Sequence, residues 1–147
     1  MNTSQTGQHA ATELAAPTPA GFWPRLGAAV ADTIILVVLA VPVAVIVPLA
    51  GWNELLLWAA YFSLLEGGSS GQTIGKRLAG IRVVDAATGG PLGIGRALLR
   101  HIVRIISGLA FFLGYLWMIW DPRKQTWHDK AVDALVVPTR ARGRSTI

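Results

Sequence analysis

The sequence predicts an all-α membrane protein with two transmembrane helices, a third apolar helix that either crosses or re-enters, and a small cytoplasmic β-hairpin. Three observations carry this expectation. Residues 26–53 hold a single charged side chain, Asp32, in a run long enough to cross a hydrocarbon core of roughly 30 Å. Of the 147 residues, 52% are hydrophobic and 14% charged, against roughly 25% charged in an ordinary soluble domain. The basic residues are also unevenly placed, with Arg25 before the first apolar segment, none between the first and second, six between the second and third, and six after the third. Basic loops stay cytoplasmic, which puts the N-terminus and the 76–104 region inside and the short link near Gly51 outside.

Residues 1–20 contain neither a basic start nor an apolar stretch of the kind found in a cleaved signal peptide. Their Ser, Thr, Gln, Ala and Pro are expected to form a disordered N-terminal tail, because such a mixture buries too little surface to offset chain entropy. The membrane domain is placed at 21–138 and a basic C-terminal tail at 139–147. With no cysteine, the chain has no disulfide framework and no thiolate metal site.

The first apolar segment, 21–49, opens on Phe22, Trp23 and Pro24, a proline position that a helix start tolerates. Pro42 and Pro48 are expected to kink its second half. The second segment, 52–65, ends at Glu66 and the turn-rich GGSSG, and the short link before it forces an antiparallel pair of helices. The third, 105–120, would span only about 24 Å as a helix and needs help from its flank. That flank carries Arg96, Arg100 and Arg104 at intervals of four, a basic stripe expected to face lipid phosphates. Three crossings would place the basic tail outside, against the charge rule. The conflict disappears if the stretch bends at Ser107-Gly108 or Gly114 and returns to its starting side, or if it lies along the membrane surface.

A further clue concerns strands. Residues 81–84 are β-branched and run into Asp85 and the turn signal Thr88-Gly89-Gly90-Pro91, and 135–137 is a similar short run. If these two pair, they share one compartment, and the third segment cannot simply cross.

Arg25 and Asp32 stand seven residues apart and so lie on one helix face at about 3.6 residues per turn. An ionisable group inside a bilayer is costly and ordinarily faces protein or water, which makes this pair the strongest pointer to function. The two are about 10.5 Å apart along the axis, too far for direct contact without a bridge. Gly27, Ala28 and Ala31 give a small-residue face where another helix can approach.

The segment GQTIGKRLAGIRVVD at 71–85 resembles the stretch after the second helix in the RDD family of small membrane proteins, and the likeness extends over about 21–137. That family is named for an arginine at the start of its first transmembrane helix, an aspartate within it and a second aspartate further on. Arg25 and Asp32 match the first two, and Asp129 in QTWHDKA at 125–131 matches the third, with a departure at Thr126-Trp127. The resemblance implies a multi-pass protein of the cell membrane whose molecular role is largely unassigned. Transport of some ligand has been suggested for the family, and some members resemble cation/proton antiporters.

Two function classes follow. In an oligomeric transport protein, Asp32 would bind a cation or proton, Arg25 would set its charge state and Asp129 would close the site, with His128, Lys130 and Lys76 in secondary roles. In an assembly or partner-binding protein the same cluster would be a structural lock. The partners expected are the bilayer with its anionic lipids, and a second copy or other membrane proteins. No catalytic group, cofactor, metal or nucleic acid is expected. GQTIGKR lacks the spacing of a phosphate-binding loop, His101 reads as a helix-surface residue, and no nucleophile accompanies His128. Trp23, Trp52, Trp117, Trp120 and Trp127 read as interface anchors.

Overall fold

A computed structural model describes residues 18–46 and 52–139. Helix α1 (Phe22–Ile46) has 25 residues, about 37 Å at the standard rise and enough to span a hydrocarbon core. Among the described residues it is the one unbroken helix long and apolar enough to cross a membrane. Its buried positions are Ala28, Asp32 and Leu36, four apart and therefore one narrow stripe. Much of the rest of its surface, including Val38, Val41 and Val45, is exposed and apolar, which suits hydrocarbon as the surrounding medium. The expected link at 50–53 lies partly, and Pro48 wholly, outside the described residues.

Helix α2 (Trp52–Gly67) has 16 residues and is shorter than a full crossing of about 20. Helix α3 (Ile74–Leu78) is a single turn capped by Thr73, whose hydroxyl accepts from the Lys76 amide. It packs on α1, and Gly75 is what permits the approach. A Cβ at Gly75 would stand 2.2 Å from the Ala28 carbonyl oxygen and 2.8 Å from the Asp32 carboxyl carbon. The small-residue face is thus used at Ala28 by a short amphipathic turn, while Gly27 has open space beside it.

Strand β1 (Ile81–Asp85) follows, then α4 (Ile94–Leu109), α5 (Leu113–Leu116), a 3-10 turn at Trp117–Ile119, α6 (Trp127–Lys130) and β2 (Ala134–Pro138). The strands pair antiparallel with Val83 opposite Val136. This corrects the expected hairpin, because the partner of β1 arrives only after the intervening 86–133. The glycine turn is real, with Asp85 accepting from the Ala87 and Thr88 amides, but the helical spacing of Leu92 onward carries the chain into α4 instead. The N-terminal boundary also shifts, since Ala20 is buried and donates its amide to Val136 at 2.7 Å. Ala20, Ala28, Val83, Ala97 and Val136 share one core.

The pairing of β1 with β2 returns the third apolar stretch to the side from which it leaves. It is not one helix. Helix α4 and the 113–119 segment meet at a bend of 111°, and the break falls at Phe111 and Phe112, both at positive φ (53° and 60°), rather than at a glycine. Bulky residues in this region are strained. Gly114 serves another purpose: a Cβ there would meet the Ser107 hydroxyl at 2.4 Å, so the small residue lets the chain fold back onto α4.

Candidate functional site

Four elements bring the site together around Arg100. Its side chain is only 2% exposed, and its guanidinium bridges two carboxylates, pairing with Glu66 of α2 and Asp129 of α6. The Nε group donates to Asp129 Oδ1 at 2.9 Å. A planar, always charged fork is well suited to hold two acceptors at fixed geometry. Glu66 also accepts from Lys76 Nζ at 2.6 Å and from Arg104 Nη2 at 3.1 Å.

Asp129 is held from both sides. Arg25 Nη1 donates to its Oδ2 at 2.5 Å, while Arg25 Nε and Nη2 reach the carbonyls of Ala20 and Lys124. The same carboxylate closes a capping box with Thr126 at the start of α6, satisfying amides that a helix start leaves unpaired. Burial pushes the Asp129 carboxyl up, but the Arg100 guanidinium, joined by Arg25, overrides this and holds it well below the usual range. Burial pulls Lys76 down to about 8 despite the opposing pull of Glu66. His128 is buried beside Tyr115, and burial drives its imidazole well below the ordinary value.

Asp32 belongs to a separate arrangement. It is fully buried, and its oxygens accept from Tyr61 Oη at 2.8 Å, the Gly75 amide at 2.7 Å and Thr73 Oγ1 at 2.5 Å. These donors are neutral. The expected cluster of Arg25, Asp32 and Asp129 is therefore divided: Arg25 and Asp129 are joined, and Asp32 sits apart with α2 and α3 partners. Among the described residues no bridge to Arg25 is formed, because Tyr61 of α2, the Thr73 cap and the Gly75 amide of α3 supply the donors.

Three further expectations are corrected. The stripe of Arg96, Arg100 and Arg104 faces the protein rather than lipid: Arg96 pairs with Asp85 and donates to the Val132 carbonyl, and the other two meet Glu66. Acidic partners on α2, β1 and α6 draw the basic face inward, leaving Leu98, Leu99, Ile102 and Ile106 exposed. His101 is buried and stacks on Phe62 at 5.1 Å. Lys130 pairs with Asp121 and does not join the cluster.

Glu66, Tyr61, Thr73 and Gly75 were not among the expected site residues. Glu66 had a readable signal, since a carboxylate at a helix C-terminus opposes the helix dipole and requires cationic neighbours. Thr73 and Gly75 stood inside the resembling segment without any mark of their role. A cavity of about 490 Å³ lies beside these groups, between α1, α2 and the bent arm, with Asp32, Lys76, Arg100 and Arg104 among its lining residues.

The model of the RDD family matches residues 19–133. The chain belongs to the RDD family. As an RDD protein it is 31% identical over 93 residues to the proline-rich antigen of Mycobacterium leprae, covering 61% of this chain and 37% of that one. It is 35% identical over 71 residues to the proline-rich antigen homolog of Mycobacterium tuberculosis, covering 48% and 30%. The uncharacterized protein YxaI of Bacillus subtilis is 32% identical over 69 residues, covering 47% and 44%. This RDD chain thus spans less than half the length of these relatives. No solved structure matches it.

Proposed function

We propose that this RDD protein is a multi-pass protein of the cell membrane that works by assembly, with a second copy or with other membrane proteins, and that its buried ionic centre is a structural lock. In this reading α1 crosses fully and the 16-residue α2 crosses by drawing the bilayer thinner around it, while α4 with the 113–119 segment lies along the cytoplasmic boundary with its apolar face to lipid. The exposed Trp23, Trp52, Trp117 and Trp120 then serve as interface anchors.

The observation that carries the lock is saturation of the three central carboxylates by donors of the chain itself. Asp129 receives Arg25, Arg100 and the Thr126 amide. Glu66 receives Lys76, Arg100 and Arg104, and Asp32 receives three neutral donors. A transported cation would need to displace these bonds. Buried ionic groups of this kind can serve to specify one geometry.

Cation- or proton-linked transport by an oligomer is the second reading, and the placement of Asp32 on the wall of the cavity favours it. Flux assays in proteoliposomes separate the two. The lock predicts no sodium or proton flux above empty vesicles, together with a self-associated or partner-bound form in crosslinking. A flux abolished by Asp32→Asn in a folded protein moves the assignment to transport. Thr139→Cys in this cysteine-free chain tests the membrane placement, with labelling expected from the cytoplasmic side alone.

A further inference from the structure

The cavity combines features that neither a lock nor an apolar packing defect requires. Its walls are apolar, formed by Leu26 and Ala29 of α1, Trp58 of α2, and Phe112 and Leu116 of the bent arm. Four cationic groups, Arg25, Lys76, Arg100 and Arg104, also line the space, drawn together by the carboxylates of Glu66 and Asp129. Among the described residues the carboxylates paired with these four are Glu66 and Asp129 alone, since Asp32 is held by neutral donors, so the cations outnumber their partners.

Two buried polar atoms of lining residues have no partner among the described residues: Arg104 Nε and His128 Nδ1. His128 is 3% exposed, so water reaches it poorly. Arg104 commits Nη2 to Glu66 and lies 4.4 Å from the centroid of the Phe62 ring. A buried polar atom without a partner calls for an explanation, and a polar group entering the adjoining cavity supplies one. The volume of about 490 Å³ falls within the range of roughly 300–1,000 Å³ typical of small-molecule sites.

We propose that this cleft binds an anionic phospholipid, its phosphate on Arg104, Arg25 and His128 and the start of one acyl chain along Leu26, Ala29, Trp58 and Leu116. The rim residues Leu26 and Phe112 are exposed, so a chain can enter sideways from the bilayer. Arg25 lies in the first turn of α1, the level at which headgroup phosphate meets hydrocarbon. A free phosphate would use the cationic groups and leave the apolar walls bare. The lipid satisfies both. This site rests on the membrane placement proposed above and is independent of the lock.

The test uses the full chain in detergent, with binding followed by native mass spectrometry. The probes are phosphatidylglycerol, phosphatidylcholine with the same acyl chains, and inorganic phosphate. One phosphatidylglycerol is expected to bind at least about tenfold more tightly than phosphatidylcholine, a gap of about 1.4 kcal/mol, and to resist displacement by inorganic phosphate. Ala29→Phe, which fills the cleft without touching the ion pairs, and Arg104→Gln are each expected to lower that affinity by about tenfold. If Ala29→Phe is misfolded by thermal melting, Thr33→Leu on the same wall replaces it.

Equal binding of the two lipids would overturn the proposal by showing a merely apolar groove. Displacement by phosphate would show a soluble-anion site, and affinity unchanged in the folded cleft variant would place the lipid elsewhere. Labelling of Thr139→Cys from the wrong side sinks the membrane placement, and a flux sinks the lock, whereas the cleft fails only in the lipid comparison.

Discussion

Asp32 and Asp129 are both fully buried carboxylates, yet the chain surrounds them in opposite ways. Asp129 is gripped by two guanidinium groups. Asp32 is held by a phenol, a hydroxyl and a backbone amide. A cation compensates a buried charge strongly but becomes a liability once its partner is lost. Neutral donors compensate less and leave no orphaned charge behind. The Asp129 centre therefore suits a joint between distant segments, and the Asp32 site suits a joint formed by close backbone approach.

That contrast is broken most directly by Asp129→Ala. Arg25 and Arg100 both lose their carboxylate, and the expected loss is about 3–5 kcal/mol, read from chemical unfolding in detergent. A loss below about 1 kcal/mol would mean that the two arginines find Glu66 or water at little cost. Acid probes the same group: its depressed folded-state value stabilises the fold above the unfolded carboxyl value, near pH 3.9. That contribution fades as pH falls through the lower folded value, so Asp129→Asn should flatten the acid limb of the stability curve.

Gly75→Ala attacks the other site through its backbone. With the added Cβ 2.2 Å from the Ala28 carbonyl oxygen, helix α3 must move away from α1, at an expected cost of about 1–3 kcal/mol. The tyrosine environment at Asp32 should change with it, visible in the ring resonances of Tyr61. Unchanged resonances would show that α3 shifts without loosening the carboxylate.

Asp32→Asn sharpens the comparison, because it removes charge and leaves one acceptor oxygen. A loss of about 1–2 kcal/mol is expected, smaller than that of Asp129→Asn measured in parallel. The reverse order would mean that Asp32 carries more of the fold than its neutral partners imply. Arg96→Ala should have the least effect, under about 1 kcal/mol, since its side chain is 43% exposed where it meets Asp85. A larger loss would show that the bond to the Val132 carbonyl holds the sheet to α4.

Much of the fold was legible. The apolar run at 26–53, interrupted only by Asp32, became α1 over its described first part, and the β-branched runs at 81–84 and 135–137 became paired strands. The cost of charge in hydrocarbon calls for protein around Asp32, and the carboxylate is fully buried. The basic stripe on α4 is legible in the sequence as a stripe, and its direction is not. Helical spacing fixes which residues share a face but says nothing of what the face meets. In a membrane protein an amphipathic helix can point its apolar side outward, and here Glu66 and Asp129 decide that it does.

By itself the sequence determined the long apolar helix, the membership of Arg25, Asp32 and Asp129 in one recurring pattern, and the need for charge compensation. The helix and the need for compensation follow from composition and local periodicity, and the three-residue pattern follows from the likeness to the RDD family. Only the tertiary structure decided that Arg25 meets Asp129 across 104 residues, that Asp32 is caged by α2 and α3, and that the bend falls at two phenylalanines. Contacts between segments so distant along the chain depend on how helices pack in space, which local spacing does not encode.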